Sequence, residues 1–339
     1  MRRRQLLAAG VTGLTGTVAG CLGFSAPGDE HPLAGRTQTV RVQTRSDSPH
    51  DLDEIAATAL SFWEANSETY AGFAVDFEIV EDEQPDLIIA YRDSPAGCEN
   101  VPNYSDRVLG CAPVLQAGYA VPRPITGRVV AAARPPGAIR TTTQHELGHM
   151  LGLGHDDEPA SVMSNRPEDR IPEYARRIDI WETVRAVYER AGTITPVLNH
   201  GIELYNRGED EAAALALAGA ATDLRTLVDR VDSASTEVDA LEANVDVETV
   251  AFGDLRDLFA RLRSRLVAAE GLATALAASA RAQSEERQSQ LETAIERLAE
   301  FNGTAPIQLR DVAVALGLVR GFEEEAPIIE IEKEPPATA

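Results

Sequence analysis

Three histidines lie within eleven residues in the stretch Thr142–Asp157, which reads TTQHELGHMLGLGHDD. They are His145, His149 and His155, and the whole chain has only six histidines. Residues four apart lie on the same face of a helix, so His145 and His149 can direct their imidazole nitrogens to one point. His155 is nearly on the opposite face and can join them only if the helix ends first. We expect the chain to turn back at Gly152, because glycine adopts positive φ without steric cost.

Three imidazoles that meet at one point are typical ligands of a catalytic zinc ion, which keeps its fourth position for water. Glu146 follows the first ligand and points about a third of a turn away from the pair, toward the open side of the metal. A carboxylate there can take a proton from the zinc-bound water, whose pKa the metal lowers to about 7. It can then return the proton to a leaving amine. The pattern predicts one zinc ion bound by His145, His149 and His155, with Glu146 as the general base.

The string H-E-x-x-H-x-x-G-x-x-H resembles the motif of the metzincin clan of zinc endopeptidases. That clan has a methionine turn beneath the zinc, and Met163 stands eight residues after His155. The short gap is most similar to the matrixin branch, although Asp156 and Ser164 depart from the serine and tyrosine usual there. The resemblance covers residues 38–192 and implies an α+β catalytic domain, with a mixed twisted sheet and an active-site helix.

The resemblance also implies an edge strand that pairs with extended substrate, which would be Gly118–Pro122. The residues predicted to pair with substrate are Gly118, Tyr119, Ala120 and Val121. Matrixins often carry a structural zinc and calcium ions as well. The three other histidines, at positions 31, 50 and 200, have no ligand neighbours, so no second zinc site is predicted. Structural calcium is possible on the resemblance alone.

Hydrophobic patterns predict the elements that position this site. Strands are predicted at Gln38–Thr44, Phe73–Val80, Asp86–Tyr91 and Arg128–Ala132. Helices are predicted at about 51–66, 138–151 and 176–191. The motif histidines therefore lie at the end of a helix that follows several strands.

Past Pro172 the strand signals end and helix formers dominate. A heptad pattern contains Leu224, Val231, Val238 and Val245 in one position and Leu227, Ala234 and Leu241 in the other. Apolar residues repeat at helical spacing again over residues 255–276 and 291–298, with turns expected near 244–246 and 283–284. These stripes predict an all-α helical bundle. The predicted domains are 1–21 signal, 22–37 tether, 38–192 protease, 193–322 bundle and 323–339 acidic tail.

The first 21 residues have the composition of an export signal. Three arginines precede an apolar stretch, Leu6–Gly20, which at 15 residues is shorter than the roughly 20 that span a bilayer. Arg3-Arg4 and the residues after it resemble a twin-arginine signal. Thr17–Cys21 resembles a lipobox, in which Cys21 becomes the lipidated N-terminus and anchors the protein to the outer face of the membrane. Cleavage without lipidation, which would release the protein, is the alternative.

The two other cysteines, Cys98 and Cys111, can pair as a disulfide in an oxidising compartment. The alternative is two buried free thiols.

The charge is strongly negative, with 54 acidic against 31 basic residues and a formal net charge of −23. Such a polyanion repels phosphate backbones, so nucleic acid is excluded as a partner. Salt screens self-repulsion, and the acidic, lysine-poor composition is similar to that of haloarchaeal proteins. An acidic mesophilic protein is the alternative.

Together these features predict a zinc endopeptidase that hydrolyses extracellular or cell-surface proteins. Two other functions fit the same metal motif. One is a catalytically inactive zinc surface protein whose bundle makes the functional contact, and the other is an amidase-like enzyme. The presence of Glu146 favours an active enzyme, and an edge strand beside the zinc favours peptides. The sequence does not indicate what the bundle binds.

Overall fold

The computed structural model describes residues 30–81, 84–101, 104–105, 108–119, 121–246, 248–318 and 331. The predicted export signal, Cys21 and most of the tether lie outside these residues. So does the acidic tail apart from Ile331, which packs against the helical part of the protein. Over the described ranges, no helix combines the length and apolar character needed to cross a membrane.

A five-stranded sheet lies in the first part of the chain. Its strands are β1 (Gln38–Arg45), β2 (Phe77–Ile79), β3 (Leu87–Arg92), β4 (Gly110–Cys111) and β5 (Ile125–Val130). In space the order is β2-β1-β3-β5-β4, and only β4 runs antiparallel to its neighbour. The first five residues of β3, the middle strand, are all buried, as expected for a continuous apolar run. The described fold is α+β with a mostly parallel sheet.

Helix α1 (Leu52–Tyr70) crosses between β1 and β2. It begins after Asp51, whose carboxylate accepts hydrogen bonds from the amides of Asp53 and Glu54 at 3.1 and 3.0 Å. The predicted stripe that includes Leu52, Ile55, Ala59, Leu60 and Trp63 is buried. The helix continues four residues beyond its predicted end and stops before Gly72, which has a φ of +80°.

The second strand is shorter than predicted. The prediction was Phe73–Val80, whereas β2 contains only Phe77–Ile79. The amide of Val75 donates instead to Ser67 Oγ at 3.2 Å, and the amide of Phe77 donates to Glu64 Oε1 at 3.0 Å. Side chains of α1 therefore take backbone groups that a longer strand would pair.

The prediction of an edge strand at Gly118–Pro122 is wrong. Gly118 has a φ of +78°, and the amide of Tyr119 donates to Gln116 O at 3.1 Å, so these residues form a turn. Residue 120 lies outside the described part, and Val121 and Pro122 are in no strand. The edge of the sheet is β4, which at two residues is too short to produce an alternating pattern in the sequence.

The rest of the described chain is helical. The helices are α2 (Pro136–Met150), α3 (Ala160–Met163), α4 (Pro167–Arg170), α5 (Tyr174–Asn206), α6 (Asp210–Glu242), α7 (Phe252–Arg281), α8 (Ser284–Gly303) and α9 (Leu309–Ala315). All seven residues of the predicted heptad are buried. The predicted turns coincide with the ends of α6 and α7.

Two hydrophobic clusters divide the protein. The first contains residues between Leu33 and Met163, and the second contains residues between Ile180 and Leu318. The domain boundary predicted between residues 192 and 193 falls inside the continuous helix α5, and the packing changes before it. An apolar stripe has the same spacing whichever core it faces, so the sequence pattern did not locate this change.

The two clusters meet through hydrogen bonds. The amide of Gly137, at the start of α2, donates to Glu248 O at 2.7 Å. Within the helical part, Arg177 in the first turns of α5 donates to Leu316 O at 2.8 Å and to Thr249 O at 2.9 Å, and so holds the segment of Glu248 in place. Helix α2 is therefore attached to the helical part of the protein at its N-terminal end.

Candidate metal centre

Helix α2 carries His145 and His149 on one buried face. The helix starts with Pro136, whose missing N–H costs nothing in the first turn. The indole N–H of Trp63, on α1, donates to Gln144 O at 2.7 Å and joins the two helices next to the motif. His145 and His149 are each 7% exposed.

The chain turns at Gly152, as the sequence predicted. Gly152 has a φ of +94°, its amide donates to His149 O, and the amide of Leu153 donates to Gly148 O, both at 3.0 Å. This pattern ends helices where a residue reaches the left-handed region. A Cβ at this position would lie 2.8 Å from Leu115 O, so the turn has no room for a side chain.

The turn brings His155 to the other two histidines. One ring nitrogen of each imidazole lies within 4.8 Å of those of the other two. The ring centres of His155 lie 5.2 Å from that of His145 and 4.9 Å from that of His149. His155 is exposed, so the cluster opens to solvent on its side. The three histidines could bind a metal ion.

Hydrogen bonds determine which nitrogen each buried histidine presents. His145 Nδ1 lies 2.8 Å from Val162 O, and His149 Nδ1 lies 2.8 Å from Leu153 O. A carbonyl oxygen only accepts, so each Nδ1 carries the proton and each Nε2 keeps its lone pair. Partners of this kind fix the ring orientation of metal-binding histidines. Each Nε2 atom therefore has a free lone pair and a fixed orientation, and so could bind a metal ion.

The protonation state of these histidines also suits a metal. Burial lowers the pKa of His145 to about 3, and the charge of His149 acts in the same direction. Burial likewise lowers the pKa of His149. Both imidazoles are therefore neutral near pH 7, which is the form that binds metal ions.

Met163 lies beneath the histidines and is fully buried. A Cβ built on Gly148 would overlap Met163 Sδ and would lie 2.9 Å from Cζ2 of Trp63. The turn that holds Met163 also contains Val162, whose carbonyl orients His145. Met163 therefore packs against the helix of the motif, and the supporting role that the resemblance assigned to it stays a prediction.

Gly148 is a packing residue of the candidate metal centre that the sequence did not predict. A glycine inside a helix costs about 1 kcal/mol relative to alanine. Its presence in the middle of α2 was therefore a readable sign of close packing on that face.

Glu146 is buried under the edge of the sheet. A Cβ on Gly110, in β4, would lie 2.5 Å from Glu146 Oε1, so the edge strand passes directly over the carboxyl group. Glu146 Oε2 has no hydrogen-bond partner among the described residues. Buried polar atoms are nearly always paired, and an unpaired one calls for a functional explanation.

The charge of Glu146 depends on its neighbours. Burial raises the pKa of Glu146 to about 8, and the positive charge of Arg170 opposes part of this rise. A cation held by the three histidines would act in the same direction as Arg170 and favour the carboxylate. Arg170 ends α4 and was not predicted, because no spacing rule connects it to the motif.

The predicted disulfide between Cys98 and Cys111 is present, with a Cα–Cα distance of 5.8 Å. Cys111 belongs to β4 and follows Gly110, so the disulfide fastens the strand that covers Glu146. Tyr119 and its neighbours do not form a strand at this site, and the Tyr119 side chain is 64% exposed.

Comparison with known proteins gave no relative. No protein-family model matches the chain, and no curated protein matches it. The function has to be inferred from the chemistry of the site itself.

Proposed function

We propose that the protein is a zinc-dependent endopeptidase of the metzincin type. One observation carries the proposal. Two histidines with fixed tautomers and a third from a turn surround one point, and Glu146, next to His145 in α2, has a buried Oε2 atom with no hydrogen-bond partner among the described residues. A structural metal site would have no use for an unpaired carboxylate oxygen at that place.

The donor set fits zinc. Three imidazole nitrogens, two of them neutral through burial, match a catalytic zinc site with three protein ligands and an open position. The residues that would hold the ion are His145, His149 and His155. When bound, zinc would act as a Lewis acid that makes water a stronger nucleophile and polarises a carbonyl group.

Glu146 is the group that moves the proton. Its Oε2 atom is free to accept a proton from the attacking water and to donate it to the leaving amine nitrogen. Burial under β4 keeps bulk water from competing for this oxygen. The packing of Gly110 against Oε1 limits the motion of the carboxyl group.

The edge strand β4 is the surface we propose for an extended substrate. It is the last strand in the order of the sheet and its Gly110 contacts Glu146. A peptide that adds to this edge as a further strand would pass beside the general base. This role replaces the one that the sequence assigned to residues 118–121.

We also propose that the protein is exported and lipid-anchored through Cys21. The signal and lipobox lie outside the described residues. The disulfide between Cys98 and Cys111 supports the proposal, because such bonds persist in oxidising compartments.

The test is hydrolysis of an unstructured protein by the purified chain, with and without a chelator, followed by metal analysis. We expect about one zinc per chain, activity that is lost on chelation and restored by zinc, and loss of zinc when His149 and His155 are both replaced by alanine. A folded protein that binds zinc but cleaves no peptide bond would contradict the endopeptidase and favour an inactive surface protein or an amidase.

A further inference from the structure

A cavity of about 40 Å³ lies where the two hydrophobic clusters meet. On one side it is lined by residues of α2, including Thr142, which precedes Glu146 by about one helical turn. On the other side it is lined by Thr249 and Gly317. A water molecule needs about 10–15 Å³ by the same measure, so the cavity has room for a chloride ion or a carboxylate group.

The lining carries positive charge without a matching acid. Three arginines, Arg134, Arg170 and Arg177, line the cavity, and no aspartate or glutamate is among its lining residues in the described part of the chain. Burial lowers the pKa of Arg177 to about 10 and also lowers that of Arg170. An arginine side chain keeps its charge in a folded protein, so this lining is positively charged at neutral pH.

The guanidinium group of Arg134 donates its hydrogen bonds to oxygen atoms of the protein. It donates to Val130 O at 2.8 Å, to Ala138 O at 2.9 Å and to Thr142 Oγ1 at 2.9 Å. This arginine is a structural part of the wall.

The other two arginines each have an unpaired donor. Arg177 is 1% exposed and gives its terminal nitrogens to Thr249 and Leu316, yet its Nε has no partner among the described residues. The buried Nε of Arg170 has none either. Glu146 and Glu173 act on these arginines through their charges, but neither accepts from these Nε atoms. Leaving a buried charged donor unpaired is costly, so two arginines with such donors in the wall of one cavity point to a ligand.

We propose that this cavity binds a small anion, either a free chloride ion or the carboxylate of an acidic substrate side chain. The second source rests on the proposed endopeptidase function. In that case the acidic side chain of the substrate would occupy the cavity while its backbone lies beside Glu146, one turn of α2 away. Arg170 would then determine specificity.

The first experiment measures binding without activity. The melting temperature of the zinc-loaded full chain is followed while sodium methanesulfonate is replaced by sodium chloride at constant molar ionic strength. Methanesulfonate carries no carboxylate and its sulfonate group is bulkier than a chloride ion, and constant ionic strength keeps screening unchanged. We expect a saturable rise of a few degrees, because a ligand that binds only the folded state stabilises it.

Arg170→Met should abolish this rise. The matched control is Arg310→Met, which removes an exposed arginine on α9 and changes the net charge equally. General effects of chloride on the protein act on both variants alike. The titration of the unaltered chain gives an answer even if Arg170→Met does not fold.

The second experiment compares peptides that differ only by Glu or Gln, placed in turn at each position around the cleaved bond. If the substrate supplies the anion, one position should favour Glu by about tenfold or more in kcat/KM, as expected for a charge-assisted contact. Chloride should raise KM for that Glu peptide only. Arg170→Met should remove the preference, and Arg310→Met should keep it.

A chloride effect without a Glu preference supports the free ion as the ligand, and a Glu preference supports the substrate. Melting temperatures that do not depend on the anion, together with equal cleavage of all peptide pairs, would overturn the proposal. If the zinc-loaded chain cleaves no peptide, the endopeptidase function fails, and the chloride titration alone decides whether the cavity binds an anion.

Discussion

Gly148→Ala tests whether the floor of the metal centre is as tightly packed as the structure indicates. The added methyl group would overlap Met163 Sδ and lie 2.9 Å from Cζ2 of Trp63, whereas carbon atoms in contact stand about 3.5–4.0 Å apart. Both neighbours are fully buried and cannot move into solvent. The Met163 side chain or the turn that holds it must therefore shift, and we expect the turn to move because the side chain has no free space; the turn also contains the Val162 carbonyl that orients His145.

The size of the effect follows from two opposing contributions. Overpacking a buried site costs about 2–3 kcal/mol at the upper end of the usual range. Replacing a helical glycine by alanine stabilises the helix by about 1 kcal/mol. We therefore expect the free energy of unfolding to fall by about 1–2 kcal/mol. Loss of the orienting hydrogen bond should weaken zinc binding by about tenfold or more.

The matched control is Gly219→Ala on α6, where a Cβ would meet no atom within 4 Å. This substitution should stabilise the protein by up to about 1 kcal/mol and leave zinc binding unchanged. Urea titration in molar salt gives the free energies, and competition with a chromophoric chelator gives the zinc affinities. If Gly148→Ala behaves like Gly219→Ala in both measurements, the packing argument is wrong.

Three further predictions concern catalysis, anchoring and acid stability. Glu146→Gln should keep zinc while turnover falls by about 10²–10⁴-fold, and loss of zinc in this variant would show a structural role instead. Cys21→Ser should move the protein from the membrane fraction to the medium, and recovery of both forms from the cytosol would contradict export. Hydrogen bonding to Arg36 lowers the pKa of Asp86 to about 2, with Arg123 also contributing. Ionised Asp86 therefore adds about 1–2 kcal/mol to the free energy of unfolding, after allowing for the exposed arginine. This contribution is present above pH 4 and is lost toward pH 2. The stability difference between the parent and Asp86→Asn should therefore shrink over that range, and a constant difference would refute the assignment.

The two proposals meet at Arg170. This arginine lines the cavity, and its charge acts on Glu146. An anion bound there would neutralise part of the charge that opposes the raised pKa of Glu146. If the cavity binds an anion, its occupation and the protonation of Glu146 would therefore be linked through one side chain.

Local spacing was enough to predict that the three histidines come together, that the chain turns at Gly152, and that the heptad residues between Leu224 and Val245 are buried. These features depend on the geometry of a helix and on the φ range of glycine, which are properties of the chain itself. The pairing of Cys98 with Cys111 was also predicted, because only two cysteines remained after Cys21.

The edge of the sheet and the change of packing were decided by contacts between distant segments. Strand β4 has two residues and no pattern, and it is a strand only because β5 lies beside it. The stripe that begins at Ile180 in α5 has the same period whichever cluster it faces. No local rule assigns such residues to one core or the other.

The surroundings of Glu146 show the same division. The sequence alone determined that Glu146 stands between two histidines on a helix. Its burial under Gly110, its unpaired Oε2 and the approach of Arg170 exist only because β4 and α4 fold over α2. A pKa and a close contact depend on distances through space, and spacing along the chain does not determine those distances.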